Sequence, residues 1–256
     1  MPITHADQQP LHYLDIGSGP RTLWVHGAGG NAAIWWQQAE HFSKSHQFVA
    51  YDHRGFARSP CPMTQVTTTR IVPDALAVME AAGMETASLI CQSLGGWTGL
   101  RMALEHPEKV EKLVLSCTMA GVNHPPAIES VLASSSQMDE RGPASIAVGK
   151  QMTQENPLKA YLYEQAGAFN ETFNAAELPD FFSPDTLIAL DDLAKVKCPV
   201  LVISGEDDIL WPPHTLEGIV AALPEARQEI VKGSGHSPYF ERPDIFNQLV
   251  EDFLKE

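Results

Sequence analysis

Short apolar, β-branched runs, several ending in glycine and alternating with helix-length segments, constrain this chain more than any other feature. Residues 3–5 and 11–16 read as a strand pair, and TLWVHG at 22–27, FVAYD at 48–52 and ASLIC at 87–91 as further strands. KLVLSC at 112–117, PVLVIS at 199–204 and RQEIVKG at 227–233 continue the series. Helical spacing over 31–43, over a segment ending near Ala82 and over 94–106 fills the intervals. Pro243 opens a last helix with Ile245, Phe246, Leu249, Val250, Phe253 and Leu254 at helical spacing, one face of which should pack on the sheet. Strands that are apolar throughout and separated by helices belong in a parallel sheet covered on both faces. The expected fold class is therefore α/β: eight strands, mostly parallel.

Between Thr118 and about Leu190 the strand pattern stops, and helix-like stretches broken by Pro143, Pro157, Pro179 and Pro184 replace it. This divides the chain into a core, residues 1–118 and 191–256, and a helical cap, residues 119–190, expected over the carboxyl edge of the sheet. Met138, Met152, Phe169, Phe173, Phe181 and Phe182 in the cap read as packing residues. The cap carries nine acidic against three basic residues, which favours neutral substrates unless a local cation such as Arg141 holds a carboxylate.

The formal charge of −15 disfavours a nucleic-acid partner, which requires a cationic surface. MPITHADQQP lacks a basic segment leading into an apolar run, and no 18 apolar residues follow one another, so the expectation is a cytoplasmic protein without a membrane partner. Cys61, Cys91, Cys117 and Cys198 are scattered singly, and the ten histidines show no H-E-x-x-H spacing. Neither a metal nor a cofactor is expected.

Chemistry gathers where strands end. LICQSLGGW places Ser93 between an apolar strand and a glycine-rich helix start, a sharp turn that exposes the side chain. Read alone, the five-residue pattern favours a plain serine at a helix N-cap over a nucleophile. VHGAGGN ends another strand in glycines, whose loop can aim backbone N–H groups at a developing oxyanion; the amides of Ala28 and Leu94 are the candidates. His26 reads as a loop anchor. VISGEDDILWPP and VKGSGHSPYFERP place acids and His236 beyond two later strands, and in a parallel sheet these ends open to one side, so Ser93, Asp208 and His236 can converge. Asp52 and Arg54 read as loop-holding ion pairs. Trp97 and Trp211 either border a pocket or pack in the core.

HGAGG, DHRGFARS at 52–59, CQSLGG, GEDDILWP and GSGHSPYFERP, in this order, resemble the α/β-hydrolase superfamily, in its capped branch of esterases, lactonases and carbon–carbon bond hydrolases. The resemblance covers nearly the whole chain. It implies Ser93 as nucleophile, His236 as base and Asp208, fourth in GEDD, as the orienting acid, with Ala28 and Leu94 as oxyanion-hole amides. Cys91 and Ala57 stand where the family has glycine. The implied activity is hydrolysis of a carboxylic ester through an acyl-enzyme, with opening of an enol-lactone, cleavage of a carbon–carbon bond in ring-cleavage products, or ligand sensing with little turnover, as rivals.

Overall fold

The computed structural model describes residues 1–134, 137, 144–170 and 179–256. A tight hairpin joins β1 (Ile3–Ala6) to β2 (Gln9–Ile16), Asp7 and Gln8 both taking the left-handed φ that such a turn demands, +48° and +66°. Then follow β3 (Arg21–Val25), α1 (Trp36–Phe42), β4 (Gln47–Tyr51), α2 (Thr68–Ala81), β5 (Ala87–Gln92), α3 (Gly95–Glu105) and β6 (Val110–Ser116). The segment between β6 and the next sheet strand contains β7 (Val122–Asn123), α4 (Pro125–Ser134), α5 (Ala144–Ala147), α6 (Lys150–Glu155), α7 (Pro157–Gly167) and β8 (Ile188–Ala189). The chain closes with β9 (Val200–Gly205), α8 (Glu217–Ala222), β10 (Ala226–Val231), α9 (Pro238–Glu241) and α10 (Pro243–Lys255).

Eight strands form one sheet in the order β1-β2-β4-β3-β5-β6-β9-β10. β2 pairs antiparallel with both its neighbours, and the ladders from β4 to β10 are parallel. Alternate side chains sort to opposite faces, as the two-residue period of a strand dictates. Leu23, Val49, Tyr51, Leu89 and Cys91 join the core beneath α2 and α3. Trp24, Phe48, Ala50 and Ile90 join the one beneath α1 and α10. There Trp24 stacks on Phe48 at 5.0 Å between ring centres and meets Trp35 edge-on at 5.2 Å; truncating such a ring to alanine costs about 3–5 kcal/mol. Phe246, Val250 and Phe253 form the inner stripe of α10, with Ile245 outside it and exposed.

Three expectations need correction. The helix read over 31–43 is a 3-10 turn, Ala32–Trp35, leading into α1, because the Asn31 side chain accepts from Ala33 N at 3.0 Å and starts the turn there. Strands do not stop at Thr118: β7 and β8 form a two-residue parallel ladder. As expected, the helix breaks at Pro157, where α6 has ended and α7 starts. Met152 and Phe181 pack as expected, but Phe169 is 68% exposed and Phe182 39%; Met138, Arg141, Pro143 and Phe173 lie outside the described residues.

Candidate active site

Ser93 sits in the turn from β5 to α3 with φ at +50°, a left-handed conformation that costs a non-glycine residue about 1–2 kcal/mol. Neighbours hold it there. Ser93 N donates to Ser116 O at 3.0 Å, and Ser93 O accepts from Thr118 Oγ1 at 2.7 Å and Gly96 N at 2.8 Å. A Cβ on Gly95 would fall 2.3 Å from Val25 O, and one on Gly27 would fall 2.7 Å from Ser93 Cβ. These contacts let α3 and the 26–31 loop close on the turn. Leu94 precedes Gly95 in helical conformation, and its N–H is among the first amides of the helix, which have no intrahelical acceptor. Cys91 is accommodated by Gly99, where a Cβ would meet its Sγ at 2.5 Å. Burial pushes that thiol far up, away from the nucleophilic thiolate.

Hydrogen bonds set the 26–31 loop, beginning with a tautomer. His26 Nε2 lies 3.0 Å from His53 N, which can only donate, so the ring proton is on Nδ1 and donates to Gly27 O at 2.7 Å. Burial lowers the imidazole to about 4, so it is neutral at pH 7. Gly27 O also accepts from Gly30 N at 3.0 Å. With that carbonyl pinned inward, the N–H of Ala28 across the same trans peptide faces the other way; Ala28 itself is exposed. Residues between β6 and β9 grip the loop from outside: Asn31 Nδ2 donates to Ala166 O at 2.7 Å, and Asn170 Nδ2 donates to Gly29 O at 2.8 Å and Gly30 O at 3.1 Å. Asn170 Oδ1 accepts from Ala57 N at 2.9 Å, where Ala57 holds φ at +41°. That residue bears mild strain in place of the family's glycine.

Asp208 and His236 leave the ends of β9 and β10. His236 Nδ1 lies 2.9 Å from Asp208 Oδ2, and Asp208 Oδ1 accepts from Leu210 N at 2.9 Å and Trp211 N at 3.3 Å. A buried carboxylate so filled can only accept, which places the imidazole proton on Nδ1 and leaves Nε2 with its lone pair. Asp207, the neighbouring acid, is exposed. Gln92 Nε2 donates to His236 O at 3.2 Å, tying the residue before Ser93 to the histidine loop. Cys117, Asp208 and His236 bring donor atoms within 4.8 Å of one another, ligand types that suit zinc. The carboxylate is already engaged, however, and burial, then the Asp208 charge, push the Cys117 thiol up and away from a ligating thiolate.

Asp52 and Arg54 do not pair with each other. Asp52 bonds Ala32 N at 2.7 Å and Arg58 Nε at 2.9 Å, whereas the buried Arg54 guanidinium is clasped by Asp74 of α2. Trp97 and Trp211 are buried and donate to Phe181 O and Ala127 O, each at 3.0 Å; the Trp211 ring lies 5.6 Å from that of His236. Both therefore hold the segment between β6 and β9 against the sheet. The anchors Asn31, Gln92 and Asn170 escaped the reading of the sequence; only the places of Asn31 and Gln92 beside HGAGG and in CQSLGG could have drawn attention to two of them.

The sequence model of the alpha/beta hydrolase family matches residues 23–249. The chain belongs to this family. Among curated relatives, this α/β-hydrolase is 30% identical to a putative carbamate hydrolase RutD of Caulobacter sp. (strain K31), over 94% of its own length and 95% of the relative's. It is 28% identical to another of that name from Azorhizobium caulinodans, over 100% and 99%. Among solved structures, Est816, an N-acyl homoserine lactone degrading enzyme, superposes with a TM-score of 0.85 at 23% identity, over 98% and 100% of the two chains. The enol-lactonase from Burkholderia xenovorans LB400 gives 0.80 at 22%, covering both chains fully. These likenesses show the shared fold. Family membership supports hydrolysis of a small molecule. Among the described residues no helix is long and apolar enough to cross a membrane.

Proposed function

We propose that this α/β-hydrolase cleaves a carboxylic ester through an acyl-enzyme on Ser93, beneath a cap formed by residues 119–190. The observation that carries the reading is the 2.9 Å bond from His236 Nδ1 to an Asp208 carboxylate filled by two further amides, which leaves Nε2 as a proton acceptor. Nε2 takes the Ser93 hydroxyl proton, Oγ attacks the acyl carbon, and the amides of Ala28 and Leu94 receive the oxyanion. Each such donor is worth about 3 kcal/mol of barrier. The imidazolium returns its proton to the leaving alkoxide, and the acyl-enzyme remains. His236 then deprotonates water, which attacks the ester carbonyl and frees the acid and Ser93.

A second reading, carbamate hydrolysis, is favoured by the names of the relatives. It uses the same residues, because a carbamate also presents an acyl carbon with a heteroatom leaving group. Lactone opening does so too. The test is fluorophosphonate labelling of wild type and Ser93→Ala, followed by turnover of an aryl ester, an acyl lactone, an aryl carbamate and a dienone acid. Labelling at Ser93, lost in the variant together with turnover, is expected. An adduct on Cys91, or unchanged turnover by Ser93→Ala, would overturn the assignment, and a carbamate kcat/KM above that of the ester would select the second reading.

A further inference from the structure

Glu241 ends α9 at the close of the His236 loop, and it is 2% exposed. Among the described residues no lysine or arginine forms an ion pair with its carboxylate. Backbone amides fill it instead: Gly235 N reaches both oxygens at 3.0 Å, Ser237 N reaches Oε1 at 3.1 Å, and Gly149 N reaches Oε2 at 2.8 Å. The first two amides flank His236. The third belongs to the segment between β6 and β9, so one carboxylate joins the histidine's backbone to that segment. Burial pushes the carboxyl upward while these amide bonds pull the other way.

Packing at the same point leaves no slack. A Cβ on Gly149 would lie 2.9 Å from both Gly235 N and Glu241 Oε2, and a Cβ on Gly235 would lie 2.5 Å from Gly149 N. Gly149 has φ −68° and ψ 151°, which any residue adopts, so space and not backbone freedom requires glycine there. Two more contacts from α7 reach the same stretch: Tyr163 Oη and Ser237 Oγ lie 3.1 Å apart, and Lys159 Nζ donates to Glu241 O at 3.4 Å.

We propose that Glu241 is a positioning residue for hydrolysis: its carboxylate locks the backbone on either side of His236 to Gly149, so the base is aligned with Ser93 only when the stretch from Gly149 through α7 is seated. This rests on the reading of His236 as the base. Glutamine has nearly the same shape but only one acceptor oxygen, and its NH2 would face an amide donor. Glu241→Gln therefore breaks the lock without emptying the site.

The experiment measures kcat and KM for an aryl ester in wild type, Glu241→Gln, Gly149→Ala, the double variant and His236→Ala, with active sites counted by fluorophosphonate titration and folding followed by circular dichroism. Glu241→Gln should lower kcat per titrated site about 30-fold with KM within about twofold, and Gly149→Ala should lower it in the same way. The double variant should be no worse than about twofold below the slower single one, because both changes break one link. A merely structural Glu241 would lower the melting temperature, leave kcat per site within about twofold of wild type and give additive losses; that outcome overturns the proposal. If Glu241→Gln does not fold, Gly149→Ala decides alone, and unchanged kcat overturns it. Full activity in His236→Ala would remove the base and the proposal together, whereas an inactive His236→Ala beside a normal Glu241→Gln would overturn only the positioning role.

Discussion

Two loops flank Ser93, and opposite chemistries hold them. The 26–31 loop is fastened by neutral groups, the His26 imidazole and the Asn31 and Asn170 amides. The 233–241 loop is fastened by two buried carboxylates, Asp208 and Glu241. A neutral anchor contributes about 1 kcal/mol per hydrogen bond, and losing it leaves only uncharged groups without a partner. A buried carboxylate is stable only because donors surround it, and its loss leaves several aligned amides or the imidazole Nδ1–H unmatched. The His236 side should therefore be the more fragile of the two.

The largest expected effect lies on that side. Asp208→Asn should lower kcat about 10⁴-fold, since the asparagine cannot hold the imidazole tautomer or offset its charge. Asp207→Asn should stay within about twofold, because that acid is exposed and its backbone N–H, bonded to Ser234 O at 2.9 Å, is untouched by the change. Steady-state kinetics of the pair decides the matter, and the reverse ranking would break the comparison.

Acid should act on the two loops with opposite sign. His26 is lowered from 6.5 to about 4, mainly by burial, so between these pH values the unfolded chain binds the extra proton and stability falls as pH falls, by about 3 kcal/mol. Glu241 is raised by burial, so its contribution is full below the unfolded value and fades as pH rises through the folded one. Urea unfolding of wild type, His26→Ala and Glu241→Gln from pH 7 to 4 measures both. Removing His26 should flatten the acid loss, and removing Glu241 should steepen it; matching slopes in all three would show that the anchors do not differ.

The smallest effect belongs to the neutral side. Asn170→Ala removes bonds to Gly29 O, Gly30 O and Ala57 N without leaving a charge. kcat for an aryl ester should fall about tenfold, near 1.4 kcal/mol, with KM little changed. A loss as large as that of Asp208→Asn would mean that amide anchors matter as much as carboxylates.

The sheet was legible because each strand carries its own signal: alternation in Phe48 to Tyr51 or Leu89 to Cys91 assigns residues to faces without knowledge of the partners. The places of Ser93, Asp208 and His236 at strand ends followed from the same pattern. Glu241 and Asn170 carry no such signal, for their partners are backbone atoms up to 92 and 141 residues away. Nor could two-residue strands or the six-residue α8 stand out from their surroundings. Phe169 misled because an aromatic residue reads as core wherever it falls, although it is 68% exposed.

The ladder of Val122–Asn123 with Ile188–Ala189 brings the two ends of the segment between β6 and β9 side by side, with Ile188 N bonded to Gly121 O at 2.8 Å. From the standpoint of the sheet, everything between those strands is a closed loop whose ends are already fixed. Closure entropy grows only with the logarithm of loop length, so doubling the loop would cost about 0.6 kcal/mol. A shorter or foreign segment grafted between Asn123 and Ile188 should thus leave the eight-stranded scaffold folded while replacing everything the ladder closes off, which makes this ladder the natural seam for exchanging that segment among relatives.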